Sequence, residues 1–342
     1  MCPAAHYHRG FIQITPKFLD LQAKTCDDEL KDFVKEKAPF KLNDYKSHRV
    51  AIEDSPETVV ENYKKYMEGP EMPSEGDKMT HEFLQFGNIK LSIFTPKNQR
   101  PPAGGRPCLY FIHGGGFVVN NQCSGITSIF PCIDRLNAVC VSIDYSVAPE
   151  CKAPSQVEQC YDGLLAFWNR KKYSGEINFD EVAVIGRSAG AALLVGLNLK
   201  ILEGKEMKIR CNIMTFPMVD DACNTGSHSK FRNAPFLPHE TVKDCWGHYL
   251  NHRGGDKYVV PGKATIKDLE EFPPTLVEVA KADVLHDEGV NFYEKLNSAG
   301  VGITIKSFNG YHCFDSTDTE ISKRAKRERV EFLEEQGMRP IR

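Results

Sequence analysis

A single serine lies between two glycines in the segment VAVIGRSAGAALLVG, residues 182–196. The residues before it are apolar and β-branched, which is typical of a buried strand, and those after it are rich in alanine and leucine, which favour a helix. A G-x-S-x-G turn between a strand and a helix lifts the serine hydroxyl above the carboxyl edge of the sheet. Ser188 is therefore a candidate nucleophile. By itself, the motif also fits a purely structural turn of small residues.

Three consecutive glycines end another predicted strand in the segment YFIHGGGF, residues 110–117. An activated serine needs donors for the negative charge that develops on the carbonyl oxygen of its substrate. We predict that the backbone N–H groups of Gly115, Gly116 and Ala189 form this oxyanion hole. A phosphate-binding loop would need a G-K-[ST] ending, which this segment lacks. We expect His113 to hold the shape of the loop rather than to transfer protons.

A serine hydroxyl becomes a good nucleophile when a base takes its proton, and a carboxylate orients that base. In hydrolases that carry this serine turn, the chain order is serine, acid, histidine. The best acid is Asp283 in VAKADVLHDEG, just after the predicted strand PTLVEV. The best base is His312 in FNGYHCF, just after the predicted strand GITIKSF. Both residues follow strand ends at the sheet edge that carries Ser188, so the sequence predicts a serine–histidine–aspartate triad.

Other acids and histidines in the second half of the chain are weaker candidates. Asp287 and Glu288 fall where the next helix begins, and acids there usually interact with the helix dipole. His286 is too close to Asp283 to reach the serine, and we expect it in a surface loop. Four further histidines are expected to face solvent, with a substrate contact as the alternative: His228, His239, His248 and His252.

Short apolar segments alternate with helical patterns from residue 80 onward. EFLQFGNIKLSIFTP predicts a hairpin, whereas PSQVEQCYDGLLAFWNRK and EGVNFYEKLNSAG predict helices. This alternation favours an α/β fold with a mostly parallel central sheet and helices on both faces. The further predicted strands are PCLYFIHGG, AVCVSIDYS, EVAVIGRS, CNIMTFPM, PTLVEVAKAD and GITIKSFNG.

Two regions depart from this alternation and predict a helical cap. Residues 1–75 contain helical pieces, and residues 221–264 interrupt the core with one helix in LPHETVKDCWGHYL. The core is then expected in two parts, residues 76–220 and 265–342. A cap made of both regions would cover the carboxyl edge of the sheet, where open α/β sheets bind their ligands.

The net charge, the lengths of the apolar runs and the cysteine pattern argue against several classes of protein. The net charge of -3 gives no sign of a nucleic-acid partner, and the basic run SKRAKRER is expected to be a solvated face of the last helix. The sequence has no apolar run long enough for membrane insertion and no signal-peptide pattern, so we expect a cytoplasmic protein. The 12 cysteines are scattered without C-x-x-C pairs, which favours small buried apolar residues over disulfides or a metal site.

Taken together, these segments resemble the hormone-sensitive-lipase-like family of α/β-hydrolases, also called family IV esterases. The resemblance covers nearly all of residues 80–335 and rests on HGGGF, DYSVAPE, GRSAG, DVLHDEG and GYHCF in this order. It implies the α/β-hydrolase fold, with Ser188 as nucleophile, Asp283 as acid, His312 as base and Glu150 as structural support. It also implies hydrolysis of short- to medium-chain esters without a metal or organic cofactor, by monomers or homodimers.

The serine turn departs from the usual G-D-S-A-G-G of this family at two positions. Ala191 replaces a glycine and suits a helix better. Arg187 replaces an acidic residue, and we expect it to pair with a nearby carboxylate. The alternative hypothesis is that its charge favours an anionic substrate or lowers the pKa of His312.

The sequence leaves several functions open beside a serine carboxylesterase with a small-molecule ester as substrate. The natural substrate could be a secondary-metabolite ester, a lactone or an amide, which makes a lactonase or an amidase/deacetylase alternatives. A lyase or cyclase, and a ligand-binding receptor, are alternatives on the same fold, although the complete triad argues against a receptor. The aromatic residues that could line the substrate pocket, or merely pack within the cap, are Phe117, Phe236, Trp246 and Tyr249.

Overall fold

The computed structural model describes residues 16–36, 45–50, 54–68 and 77–338, except for 98, 173, 235 and 253. Within these ranges the eight strands form one sheet in the order β1-β2-β4-β3-β5-β6-β7-β8. The first hairpin and the β2–β4 pair are antiparallel, and all other pairs are parallel. The strands are β1 Met79–Phe86, β2 Ile89–Pro96, β3 Arg106–Ile112, β4 Val139–Asp144, β5 Ile177–Arg187, β6 Cys211–Thr215, β7 Thr275–Ala280 and β8 Ile303–Phe308.

Helices cover both faces of this sheet. The central strands are buried on both sides, so alternate residues of β3 belong to two hydrophobic clusters. Helices α6, α7 and α10 pack into one cluster, α4 and α5 pack into the other, and α11 contributes residues to both. The helices are α1 Pro16–Thr25, α2 Lys31–Glu36, α3 Tyr45–Val50, α4 Pro56–Glu68, α5 Phe130–Leu136, α6 Ser155–Lys171, α7 Ala189–Gly204, α8 Gly226–Lys230, α9 His239–Tyr249, α10 His286–Ser298 and α11 Glu320–Glu335.

The predicted α/β-hydrolase architecture is confirmed, including the N-terminal hairpin and the alternation of strands and helices. Helix α7, which follows Ser188 directly, explains the apolar sequence after the serine. It is apolar nearly all round, and its residues from Ala189 to Leu199 are buried. A helix without a polar face must lie inside the molecule, so the serine turn is anchored in the core.

The last helix differs from its prediction at one residue. Lys323, Arg324 and Arg327 of the basic run are exposed, as expected for a solvated face. Arg329 is fully buried, so the prediction is wrong there. It is buried because two carboxylates below the helix pair with it, as described in the next section.

Most of the described cysteines are buried, and none of them forms a disulfide. They pack as small apolar residues, as Cys108, Cys140 and Cys160 do within the core. In the described part of the chain, no cluster of three metal-ligating side chains is found, and no helix has the length and apolarity needed to cross a bilayer.

Candidate active site

A cavity of about 290 Å³ opens at the carboxyl edge of the sheet, beside Ser188 and His312. The glycine loop from Gly114 to Gly116 forms one wall. A larger cavity, about 600 Å³, lies at the amino ends of β6 and β7, and its lining contains no serine, cysteine or histidine. The smaller cavity is therefore the candidate active site. The rest of its lining is polar at Asp54, Asn120, Ser124, Arg187 and Ser316, and apolar or weakly polar at Val119, Gly125, Met218, Phe236, Leu237, Val242, Cys245 and Cys313.

The structure brings the three predicted triad residues into one hydrogen-bonded chain. His312 Nε2 lies 3.0 Å from Ser188 Oγ, and His312 Nδ1 lies 2.7 Å from Asp283 Oδ2. The second oxygen of Asp283 accepts the backbone N–H of Leu285 at 3.0 Å, which holds the carboxylate in place. All three side chains are nearly buried, so water competes little for these bonds.

The turn around Ser188 is tight and strained. Ser188 has φ 53° and ψ -119°, a conformation that side-chain-bearing residues rarely adopt. Its N–H donates to Thr215 O at 2.8 Å, and its carbonyl accepts the N–H of Met218 at 3.2 Å. A Cβ atom at Gly190 would lie 2.2 Å from Ile112 O, so only glycine allows this approach of the turn to β3.

The conformation of the glycine loop is fixed by backbone hydrogen bonds and by the packing of His113. The N–H groups of Val118 and Val119 both donate to Gly115 O at 3.0 Å. His113 stacks on Tyr145 with the ring centroids 4.1 Å apart, and Tyr145 donates to His113 O. Burial lowers the pKa of His113 to about 4, so its ring is neutral. This packing is what we expected of a residue that shapes the loop.

The surroundings of His312 favour its protonated form, the imidazolium that exists after the ring has accepted a proton. Burial lowers the pKa of His312, but Asp283 and Cys313 together outweigh burial and raise the pKa to about 10. The hypothesis that Arg187 lowers this pKa stays a prediction, because the rise comes from Asp283 and Cys313 and does not isolate the effect of Arg187. Phe216 contacts the imidazole with ring centroids 5.7 Å apart.

Arg187 belongs to a buried ion-pair network of two arginines and two carboxylates. Its guanidinium donates to both oxygens of Asp315 at 2.7 Å. Asp315 also accepts from Arg329, at 2.6 Å, and Arg329 donates in turn to Glu278. Burial opposes the charge of Asp315, but Arg187 and Arg329 hold the pKa of Asp315 well below its usual range. The expected pairing of Arg187 with a carboxylate is thus present.

Sequence reasoning missed the other three members of the network. Asp315 lies three residues after His312, a short spacing that could have drawn attention to it. Glu278 lies inside an apolar strand, where a buried acid implies a cationic partner, but neither feature identifies Arg329. Arg329 meets Glu278 only because helix α11 packs against strand β7.

Of the four aromatic residues predicted for the substrate pocket, only Phe236 lines the cavity. Phe117 is fully buried and stacks on Tyr249 with the ring centroids 3.9 Å apart. Trp246 packs against both of these rings. These three residues pack against one another and do not line the cavity, which is the second of the two alternatives that the sequence left open.

Two of the histidines expected to face solvent are buried instead. His228 and His239 approach each other through their Nδ1 atoms at 3.0 Å, and His228 Nε2 lies 3.3 Å from Glu288. Glu288 accepts the backbone N–H groups of Val219 and Asp220 at 2.7 and 2.9 Å. Glu288 lies in the first turn of α10, as expected, and in addition has partners outside its helix. It ties α10 to the chain that leads from β6 into the inserted segment.

Glu150 contacts a residue that nothing in the sequence singled out. Arg49, in helix α3, donates to Glu150 at 2.9 Å and to Val118 O at 2.7 Å. A further bond runs from Arg49 to Ala148 O. Arg49 thus ties the N-terminal helices to the loops after β3 and β4, beside the glycine loop.

Comparison with known proteins assigns the chain to a family. The family model of the alpha/beta hydrolase fold matches residues 109–316. Vegetative-specific protein H5 of Dictyostelium discoideum is 33% identical over 250 residues, 69% of this chain and 73% of that protein. An alpha/beta hydrolase of Acanthamoeba polyphaga mimivirus is 29% identical over 217 residues, 63% of this chain and 61% of the viral protein.

Solved structures and further relatives carry esterase names. A bacterial heroin esterase is 25% identical, with a TM-score of 0.76 over 92% of this chain and 98% of that one. An ethyl acetate hydrolase of Pseudomonas putida is 24% identical over 65% of this chain and 70% of that protein, and a Fusarium pseudograminearum relative is named esterase. These relatives support hydrolysis of carboxylic esters. The chain belongs to the hormone-sensitive-lipase-like family of the α/β-hydrolase superfamily.

Proposed function

We propose that this protein is a serine carboxylesterase that acts on short- to medium-chain esters through an acyl-enzyme on Ser188. The observation that carries the proposal is the continuous bond chain from Asp283 through His312 to Ser188, which ends at a cavity. In this mechanism Ser188 Oγ attacks the ester carbonyl carbon while His312 accepts its proton. His312 then returns the proton to the leaving alcohol, and water repeats the sequence on the acyl-enzyme.

The oxyanion of the tetrahedral intermediate would bind to the glycine loop. Gly115 and Gly116 line the cavity beside Ser188, and among the described residues their N–H groups donate to no protein acceptor. Such preorganised donors favour the transition state because they need no reorganisation when charge develops. The N–H of Ala189, at the start of helix α7, is the third donor, and the helix dipole adds to its effect.

We propose that the inserted segment and the N-terminal helices together cap the site. Val242 and Cys245 of helix α9 line the cavity, as do Phe236 and Leu237 just before it. Asp54, which precedes helix α4, lines the same cavity from the N-terminal side. Substrate selection therefore depends on both regions.

The size of the cavity predicts a preference for short acyl chains. A cavity of about 290 Å³ is at the lower end of the range for small-molecule sites. We expect kcat/KM to be at least about tenfold higher for p-nitrophenyl acetate and butyrate than for the laurate. Initial rates of nitrophenolate release across the series measure this preference. No turnover of any ester by the folded protein would contradict the proposed function, and equal rates across the series would contradict the size argument alone.

A substitution in the glycine loop tests the oxyanion hole. A Cβ atom at Gly116 would lie 2.2 Å from Cys245 Sγ, and the residue has φ 60°. We expect Gly116→Ala to displace the loop and to lower kcat about 10²–10³-fold, the effect of losing one oxyanion donor. Rates with p-nitrophenyl butyrate measure the loss.

Gly87 is the matched control for this variant. It has φ 59°, but nothing lies within 4 Å of its Cβ position, so Gly87→Ala introduces the same backbone strain without a clash. We expect Gly87→Ala to keep the wild-type kcat. Adding Cys245→Ala to Gly116→Ala removes the clashing atom and should recover part of the rate. A full-rate Gly116→Ala enzyme would contradict the expected displacement of the glycine loop.

A further inference from the structure

We propose that Arg187 is a positioning residue that holds His312 against Ser188 by tying the loop from His312 to Ser316 to the serine turn. The inference rests on the proposed function, because it assigns Arg187 a role in proton transfer between these two side chains. Arg187 directly precedes Ser188, and the loop it binds begins with His312. The two ends of the His312–Ser188 hydrogen bond are therefore joined a second time through Arg187.

The contacts of Arg187 with this loop are made by side chains of complementary geometry. Nη1 and Nη2 each donate to one oxygen of Asp315 at 2.7 Å, in the parallel arrangement that an arginine fork allows. Nη2 also donates to Ser316 Oγ at 2.9 Å. The Arg187 side chain is 7% exposed and that of Asp315 is fully buried, so these bonds are little screened by water.

A second route from Arg187 to the base runs through Phe216. The guanidinium carbon lies 5.6 Å from the centroid of the Phe216 ring. The same ring contacts His312 and Phe314, with centroid distances of 5.7 and 5.5 Å. Arg187 therefore restrains the imidazole through an ion pair on one side and through an aromatic contact on the other.

The charge balance argues for positioning rather than for recognition of an anionic substrate. Arg187 lines the cavity, but its charge is already neutralised by Asp315. Asp315 keeps a second cation, Arg329, so removing Arg187 does not leave the carboxylate buried alone. An Arg187 variant should therefore retain its fold while losing a restraint on the loop.

Arg187→Met tests this inference. We expect kcat for p-nitrophenyl butyrate to fall about 10–100-fold, because small displacements of a catalytic group cost rates of this size. KM should stay within about threefold of wild type, because no substrate contact is lost. Arg187→Lys keeps one charged donor without the fork and should recover part of kcat. A raised KM with wild-type kcat would instead make Arg187 a substrate contact and overturn the inference.

Glu278→Gln is the control, because it alters the same network on the side that does not contact the His312 loop. Glu278 bonds Arg329, and its substitution should lower the thermal midpoint while kcat, measured well below that midpoint, stays within about twofold of wild type. Equal losses of kcat in the two variants would attribute the effect to general stability and overturn the inference.

Amide hydrogen exchange separates this inference from the proposed function. We expect peptides that cover residues 310–317 to exchange faster in Arg187→Met than in wild type, and to be unchanged in Glu278→Gln. If wild type turns over no ester, the proposed function fails while this exchange comparison still tests the restraint. Unchanged exchange in Arg187→Met would overturn the inference whatever the turnover.

Discussion

Replacing Ser188 with alanine is expected to lower kcat for p-nitrophenyl butyrate by about 10⁴–10⁶-fold, the largest effect of any single change. Without Oγ, neither the attack on the carbonyl nor the proton transfer to His312 at 3.0 Å can occur. The substitution removes a single atom and needs no change of the backbone, which already has φ 53°. We therefore expect the thermal midpoint to stay close to that of wild type.

Two measurements make this expectation decisive. Nitrophenolate release gives the rate, and intact-mass spectrometry of wild type mixed with a slow ester detects an added acyl group on the serine. The acyl adduct should disappear in Ser188→Ala. An alanine variant that hydrolyses esters at the wild-type rate would exclude Ser188 as nucleophile, and an adduct that persists would point to another residue.

Replacing Arg329 with methionine is expected to have the largest effect on stability, a loss of about 3–5 kcal/mol in the free energy of unfolding. Arg329 is fully buried and donates to Glu278, Asp315 and Ser128 O. Methionine would leave the Glu278 carboxylate buried without its cation. Asp315 would keep Arg187, so the loss arises mainly at Glu278. Urea denaturation followed by tryptophan fluorescence measures the change.

Arg327→Met is the matched control, since it places the same substitution on the same helix. Arg327 is exposed, and substitutions at such surface positions usually change stability by less than about 0.5 kcal/mol. Comparable stabilities of the Arg329 and Arg327 variants would show that the buried network adds little net free energy. That outcome would mean that desolvation of the four charged groups cancels their attraction.

Local sequence patterns were sufficient for the architecture and for the residues that meet in the site. Strands and helices differ in the period of their apolar residues, so the eight strands could be read directly. Ser188, Asp283 and His312 each follow a strand of the same parallel sheet, and the carboxyl ends of such strands share one edge. The glycines of the turn and of the oxyanion loop were readable because close backbone approach excludes other residues.

Contacts between distant segments were not readable in this way. Arg329 looked like part of a solvated basic face, because nothing in its helix reveals that Glu278 and Asp315 lie beneath it. Phe117, Trp246 and Tyr249 looked equally suited to a pocket and to a core. Whether these side chains line the cavity or pack in the core depends on how α9 packs against the segment that follows the glycine loop.

The difference between these two groups of residues has a physical origin. A turn, a strand end or a helix depends on backbone conformation and on neighbours within a few positions. A short stretch of sequence is therefore enough to predict it. Burial and charge pairing depend on what the folded chain places opposite a side chain. For Arg187 that partner is Asp315, 128 residues further along the chain, and only the packed structure brings the two together.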